Sequence, residues 1–253
     1  MRARHVFLSA ALVLFSTAVP ACTLKMALEQ WPPYVYSHPK TGPTGIDLEL
    51  ARAILKEAGC TLSVLPELPT ARRALMFRQG ELDLLLAASE TKERRGFARF
   101  SLAYRQEMVG IFATSARLPK LRQINSFEAI GRQKLNLLVP KVGWYGPDYA
   151  RAQPALEQEG RLSTFGNFQQ GLRMLDAGRA DLIMGDTLAV RYEARKQGVR
   201  IAALPFVPLR APVHLMLNAL STTQADLDAI NAAIVRLEQR GVLEELRAKH
   251  DQH

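Results

Sequence analysis

The chain has few of the residues that mark the common catalytic and metal-binding classes. Its 253 residues include two cysteines, Cys22 and Cys60, and five histidines, His5, His38, His214, His250 and His253. Two cysteines with no histidine nearby cannot complete a tetrahedral zinc site, and the histidines show no ligand spacing, so no metal site is expected. There is no G-x-S-x-G elbow, no H-E-x-x-H pair and no G-x-x-x-x-G-K phosphate loop. Those absences exclude the best-marked hydrolase, metalloprotease and nucleotide-binding classes. No segment beyond the N-terminal region has the roughly 18 uninterrupted apolar residues of a membrane span. Nowhere do four basic residues run together, so the net charge of +9 describes a basic surface interspersed with acids and not a nucleic-acid footprint.

The content that is present suits a secreted globular protein. Hydrophobic residues at 48% can fill a large core or two smaller ones, and 23% charged residues argue against disorder. Arg2 and Arg4 precede an apolar run from Val6 to Val19, and Val19-Pro20-Ala21 supplies small residues at a cleavage site. Residues 1–21 therefore read as a secretory signal peptide, with the mature chain in the periplasm. Its removal lowers the net charge by two. Cys22 follows the cleavage site, which raises a lipid anchor as one fate for its sulfur, although Pro20 stands where a lipoprotein signal prefers a small residue.

Strands and helices alternate along the rest of the chain. TLKMAL (23–28) reads as a strand, the prolines of Trp31-Pro32-Pro33-Tyr34 as an extended loop, and Gly42, Pro43 and Gly45 as a turn. In 47–58, Leu48, Ala51, Leu55 and Ala58 share one helix face, and Gly59 closes it. A strand at 60–65 completes a βαβ unit. A helix at 71–78 and the apolar strand 82–87 follow, then a strand at 107–114. A second series has strands at 135–139, 162–165, 180–184, 200–203 and 213–217. Its helices lie near 149–158 and at 168–177, 188–196, 227–237 and 242–249. The segments RQGELDLLLAAS (78–89) and AGRADLIMGD (177–186) share one order, helix end, glycine, acid, apolar strand and polar residue, which hints at two similar lobes.

Four pieces in order carry a resemblance: WPPY at 31–34, GIDLELARAILKEAG at 45–59, GELDLLLAASETKERRGFARFSLAYR at 80–105, and 213–249. Together they resemble the family 3 extracellular solute-binding proteins, the amino-acid-type periplasmic receptors of ABC transport systems. The likeness spans essentially the whole mature chain, and Thr91-Lys92-Glu93-Arg94 followed by Phe100-Ser101 is its most specific part. It implies an α/β, type II periplasmic-binding-protein (Venus-flytrap) fold with two hinge crossings. Lobe one would be 22–113 plus 206–253 and lobe two 114–205, with crossings near 111–116 and 204–213. It further implies a small-molecule ligand, an amino acid or related carboxylate, held in the cleft at the strands' carboxyl ends. A membrane permease partner, a monomeric state, no cofactor and no catalytic residues follow from the same likeness.

Residue by residue, the resemblance makes Arg94 the clamp of a ligand carboxylate, a task suited to a planar guanidinium that keeps its charge. The plain alternative is a surface pair with Glu90. Ser89 would add a hydroxyl to the same carboxylate, although Ala87 and Ala88 stand where small polar residues are common in the family. Trp31 and Tyr34 would pack on the ligand; core filling serves Tyr34 equally well. Glu29 is a candidate cleft carboxylate. Thr70 stands where many members place an aromatic lid, and Arg72 or Arg73 would face the cleft, Arg72 being the choice. Trp144 and Tyr145 replace the usual hydroxyl residues of a glycine turn, which suggests an aromatic wall in place of an anion-holding helix N-terminus. Asp186 would meet a ligand ammonium opposite Arg94, or cap the helix that starts after it.

Two further expectations depend on the resemblance. Cys22 and Cys60 precede neighbouring parallel strands of this fold class at the same end, which predicts a disulfide; a lipid on Cys22 is the rival. The rival functions are a periplasmic dehydratase of prephenate-like acids, with Glu29 or Asp186 as the cleft acid, and a sensing module for a membrane kinase.

Overall fold

The protein is described by a computed structural model that covers residues 22–251, with side chains through 248. The expected signal peptide lies outside the described residues. The first half of the chain runs β1 (Thr23–Ala27), β2 (Tyr36–His38), β3 (Gly42–Thr44), α1 (Ile46–Glu57), β4 (Thr61–Leu65), α2 (Thr70–Arg78), β5 (Leu84–Ala88), α3 (Lys92–Arg95) and β6 (Ala98–Thr114). After a 3₁₀ turn come α4 (Phe127–Arg132), β7 (Leu137–Pro140), α5 (Pro147–Gln158), β8 (Leu162–Phe165), α6 (Phe168–Asp176), β9 (Leu182–Asp186) and α7 (Thr187–Gln197). The chain ends with β10 (Ile201–Ala203), β11 (Leu209–Asn218), α8 (Gln224–Gln239) and α9 (Val242–Asp251).

β1 and β4 pair in parallel, and a larger sheet has the order β5-β11-β6-β9-β7-β8, with β10 on β6. Two strands tie the halves together. β6 pairs through its first part with β11, and through residues 109–114 with β9 and β10. The apolar side chains gather in separate cores. One is built from β1, α1, α8 and the C-terminal half of β11. Others lie around β7 and α5 and between β9, α6 and α7. Two lobes joined by β6 and by the β10–β11 return are the result. Among the described residues no helix is long and apolar enough to cross a membrane.

The structure differs from the sequence expectations in several places, α4 among them, for which no helix was expected. β6 begins at Ala98, nine residues before the expected start, because Arg99, Ser101 and Arg105 interrupt the apolar pattern while the strand around them still pairs with β11. β11 begins at Leu209 and contains Pro212; there it has only β6 beside it, and a strand with one open side tolerates a residue without an N–H. The turn expected at 42–45 is instead largely the second strand of a β2–β3 hairpin spanning residues 36–44. The two prolines after Trp31 do not hold the loop extended, since reciprocal bonds between Trp31 and Val35 close it into a turn.

The two similar segments share one device. Each helix ends at a left-handed glycine, Gly80 (φ 80°) or Gly178 (φ 69°), and three residues later comes an aspartate. Asp83 accepts the Lys25 N–H at 2.7 Å and gives its own N–H to the Lys25 carbonyl. Asp181 does the same with Asn136, at 2.7 Å and 2.9 Å. In both lobes, then, a carboxylate ties its strand to the backbone of another, at Lys25 in β1 and at Asn136 just before β7, a repeat of structure that the sequence pattern only hinted at.

Cys22 and Cys60 form a disulfide with Cα atoms 4.6 Å apart, across the start of the β1–β4 ladder. That bridge uses the sulfur a lipid anchor would need.

Candidate functional site

A cavity of about 730 Å³ opens between the lobes, within the range of small-ligand sites. Lobe one lines it with Glu29, Trp31, Thr70, Arg73, Ser89 and Arg94. Lobe two adds Trp144, Tyr145, Phe168, Asp186 and Glu193, and Glu107 reaches it from β6.

The Thr91-x-x-Arg94 spacing has a local purpose. Thr91 is the N-cap of α3, and its hydroxyl accepts the Arg94 N–H at 3.3 Å. The Arg94 guanidinium donates to the Ser89 carbonyl at 2.8 Å and has no carboxylate partner among the described residues. Glu90 pairs with Arg95, so the plain alternative for Arg94 does not apply. Burial lowers the Arg94 pKa, against the opposing pull of Glu93. Just before Ser89, β5 carries an extra residue relative to β11, and Ala87 sits at φ 50°, where a side chain is strained. The Tyr104 hydroxyl fixes this bulge by accepting the Ala87 N–H at 2.9 Å. The bulge places Ser89 at the cavity wall.

Behind that wall is a buried network that the sequence reading passed over. Asp47, at the start of α1, takes both its oxygens to Arg105, at 2.6 Å and 2.8 Å. The Arg105 guanidinium lies 4.0 Å from the centre of the Tyr34 ring. Tyr34 is held there by Gly45, whose φ of 124° lets the N-terminus of α1 close on the loop: Asp47 N–H donates to the Tyr34 carbonyl at 3.0 Å. A Cβ on residue 45 would stand 2.2 Å from that carbonyl oxygen. The Tyr34 hydroxyl then crosses to the other lobe and donates to Asp186 at 2.9 Å.

Asp186 is 3% exposed. Its Oδ1 accepts from Tyr34 and from the Ala189 N–H, capping α7, while its Oδ2 is buried without a partner. Burial raises its pKa, and the Ala189 N–H, Arg105 and Tyr34 pull the other way. Glu107 is half-buried, and burial followed by repulsion from Asp186 pushes it up to about 7. Nothing in its sequence context marks it, since strand alternation alone would have to reveal its facing. Glu29 is bound to Arg73; burial raises its pKa and Arg73 lowers it.

The ten residues named from the sequence divide as follows. Arg94, Ser89, Asp186, Trp31, Glu29, Thr70, Trp144 and Tyr145 line one cavity. Tyr34 lies under it, in the core, touching Trp31 and Arg105. Arg72 is solvent-exposed and stands away from it; its neighbour Arg73, about 100° further round α2, is the arginine that faces in. Trp144 and Tyr145 form a wall, the Tyr145 hydroxyl donating to the Val142 carbonyl at 2.7 Å. α5 begins with Pro147 and carries Asp148 in its first turn, which does not suit an anion.

The charges lining the cavity are largely paired with one another. Arg73 pairs with Glu29, Arg78 with Glu93 and Lys196 with Glu193. Arg94, Asp186 and Glu107 remain, one cation and two acids lining the same cavity, with Lys141 exposed at the rim. Among the described residues no group of three or more His, Cys, Asp or Glu side chains could hold a metal ion.

Residues 24–253 match the sequence model of the bacterial extracellular solute-binding proteins, family 3. No curated protein matches the sequence. Solved structures share the fold at low identity. An ancestral arginine-binding protein bound to glutamine is 18% identical with a TM-score of 0.72, over 90% of this chain and 96% of that one. An ancestral amino-acid-binding protein, a precursor of cyclohexadienyl dehydratase, is 20% identical with a TM-score of 0.70, over 90% and 94%. A histidine kinase sensor domain is 19% identical with a TM-score of 0.68, over 91% and 95%.

Proposed function

The chain belongs to the family 3 bacterial extracellular solute-binding proteins and has their type II two-lobed fold, and from that premise we propose that it captures a free amino acid in the periplasm for an ABC-type membrane permease. The observation that carries this reading is the pairing of an uncompensated Arg94 on one lobe with the unpartnered Oδ2 of Asp186 on the other. A buried carboxylate oxygen without a donor is costly, and a ligand ammonium supplies that donor. An α-carboxylate does the same for Arg94, by two parallel hydrogen bonds. A zwitterion then joins the lobes, residues 22–113 with 206–253 and residues 114–205, and favours their closure about β6 and the β10–β11 return. Trp31 and Tyr145 form apolar walls, and the receptor works as a monomer. A thermal-shift screen of amino acids, small carboxylates and amines tests the reading. A ligand at about 100 times its Kd adds about 2.7 kcal/mol of stability; stabilisation by carboxylates alone would remove Asp186 from the role.

Glu107 favours one second reading. A cavity glutamate with a pKa near 7 has the property of a general acid, which a dehydratase of prephenate-like acids needs. Aromatic product formed from prephenate in the same wells would establish it over capture alone.

A further inference from the structure

We infer that Glu107 is a second cation-binding carboxylate of the cavity, and that the ligand is an amino acid whose side chain is itself cationic. The inference rests on the amino-acid reading above and narrows it.

The strand register places the two acids together. Val109 on β6 stands opposite Asp186 on β9. Glu107, two residues before Val109, therefore projects from the same face as Asp186 and is its diagonal neighbour, at a backbone separation of about 7 Å. Both line the one cavity.

The groups facing Glu107 leave its carboxylate without a donor. Arg105, on the same strand, gives Nε and Nη2 to Asp47 on α1. Tyr145, from the loop before α5, gives its hydroxyl proton to the Val142 carbonyl. Asp186 and Asp47 are acids themselves, and both repel an ionised Glu107. An amino acid with a neutral side chain places its one ammonium on Asp186 and gives Glu107 no cationic partner. A second cation on the side chain meets Glu107 and balances the cavity, since Arg94 then takes the α-carboxylate and no charge is left over. The aromatic faces of Trp31, Tyr145 and Phe168 suit the alkyl stem and the charge of such a side chain.

The test compares L-lysine with L-norleucine, which share a carbon skeleton and differ in the terminal amine, by calorimetry on the mature chain. We expect lysine to bind at least about tenfold tighter, as charge-assisted bonds require. In Glu107→Gln, with the free protein's melting transition confirming the fold, that ratio should fall towards one. Equal or tighter binding of norleucine in the wild type overturns the inference and leaves the amino-acid reading standing. A lysine preference that survives Glu107→Gln overturns the assignment to Glu107. Failure of lysine, norleucine and glutamine alike, with cadaverine or succinate bound instead, overturns the amino-acid reading and the inference with it.

Discussion

The Tyr34 hydroxyl and the Asp186 carboxylate hydrogen-bond at 2.9 Å, from residues 152 positions apart that belong to different lobes. The same aspartate caps α7 and lines the cavity, its second oxygen buried without a partner. One side chain therefore takes part in helix capping and lobe contact, and in the proposed reading it also meets the ligand. Tyr34→Phe separates the second of these from the others. Its loss leaves the ring on Arg105 and the cap on Ala189, and removes one donor from a buried acid, at a cost of about 1–3 kcal/mol. We expect a lower melting temperature and a larger radius of gyration in solution without ligand. A scattering profile identical to wild type would mean that this bond does not hold the lobes together.

Asp186→Asn keeps the shape and much of the capping ability but removes the charge. Affinity for amino acids should fall by about 2–5 kcal/mol, as when one member of a desolvated charge pair is lost. The melting temperature should change little. Calorimetry and a melting curve on the same sample decide between the roles. Retained affinity with lost stability would make Asp186 a cap alone and move the ligand towards simple carboxylates.

These two residues illustrate what the sequence could disclose. Asp186 and Arg94 are legible because each sits at a punctuated place, a strand end before a helix and a capped turn, where facing follows from local rules. The alternating elements and the two matching glycine–aspartate segments are legible for the same reason. Arg73 and Glu107 are not. On α2 only Phe77 is buried, so no apolar stripe fixes which of two adjacent arginines turns inward. On β6 the polar residues from Arg99 to Glu107 disguise the strand itself, and without the strand there is no alternation to read. Asp47 and Arg105 lie within the quoted family motifs, yet their pairing spans 58 positions and only the folded chain brings them together.

The raised pKa of Glu107 makes a signed prediction for stability. Its folded pKa, about 7, lies above the ordinary value of 4.5, so between those limits the folded state holds more protons than the unfolded one. Stability must then fall as pH rises through that window. Glu29 and Asp186, also raised, act in the same direction. Melting temperatures measured from pH 4 to 8 without ligand should decline towards neutrality, and Glu107→Gln should flatten the slope. An unchanged slope in the variant would place the titration elsewhere.

The Cys22–Cys60 bridge closes a loop of 38 positions. Loop-closure entropy assigns such a bridge about 4 kcal/mol. Intact mass of the exported protein should show both sulfurs oxidised, and reduction or Cys60→Ser should lower stability by that order. Two free thiols, or a diacylglyceryl mass on Cys22, would contradict the bridge.

The Asp47–Arg105 pair supports the site without touching its cavity. Both side chains are almost wholly buried, at 0% and 4% exposure, so neither charge has access to much water if its partner is lost. Breaking a buried pair from one side costs about 3–5 kcal/mol, whereas replacing both members with apolar residues of similar volume is often neutral. Asp47→Asn should therefore be strongly destabilising, and Asp47→Leu combined with Arg105→Met much less so. The ligand responses should differ from the stability responses. In Asp47→Asn the freed Arg105 turns its charge on Asp186, already within its electrostatic reach, and competes with a ligand ammonium. In the double variant that competition is absent, but the Tyr34 ring loses the guanidinium packed on it and positions Asp186 less firmly. Unfolding in denaturant and amino-acid calorimetry on both variants separate these effects. The expected order is weaker binding in Asp47→Asn than in the double variant, even where both are folded. The reverse order would show that Arg105 serves the site through packing on Tyr34 and not through its charge.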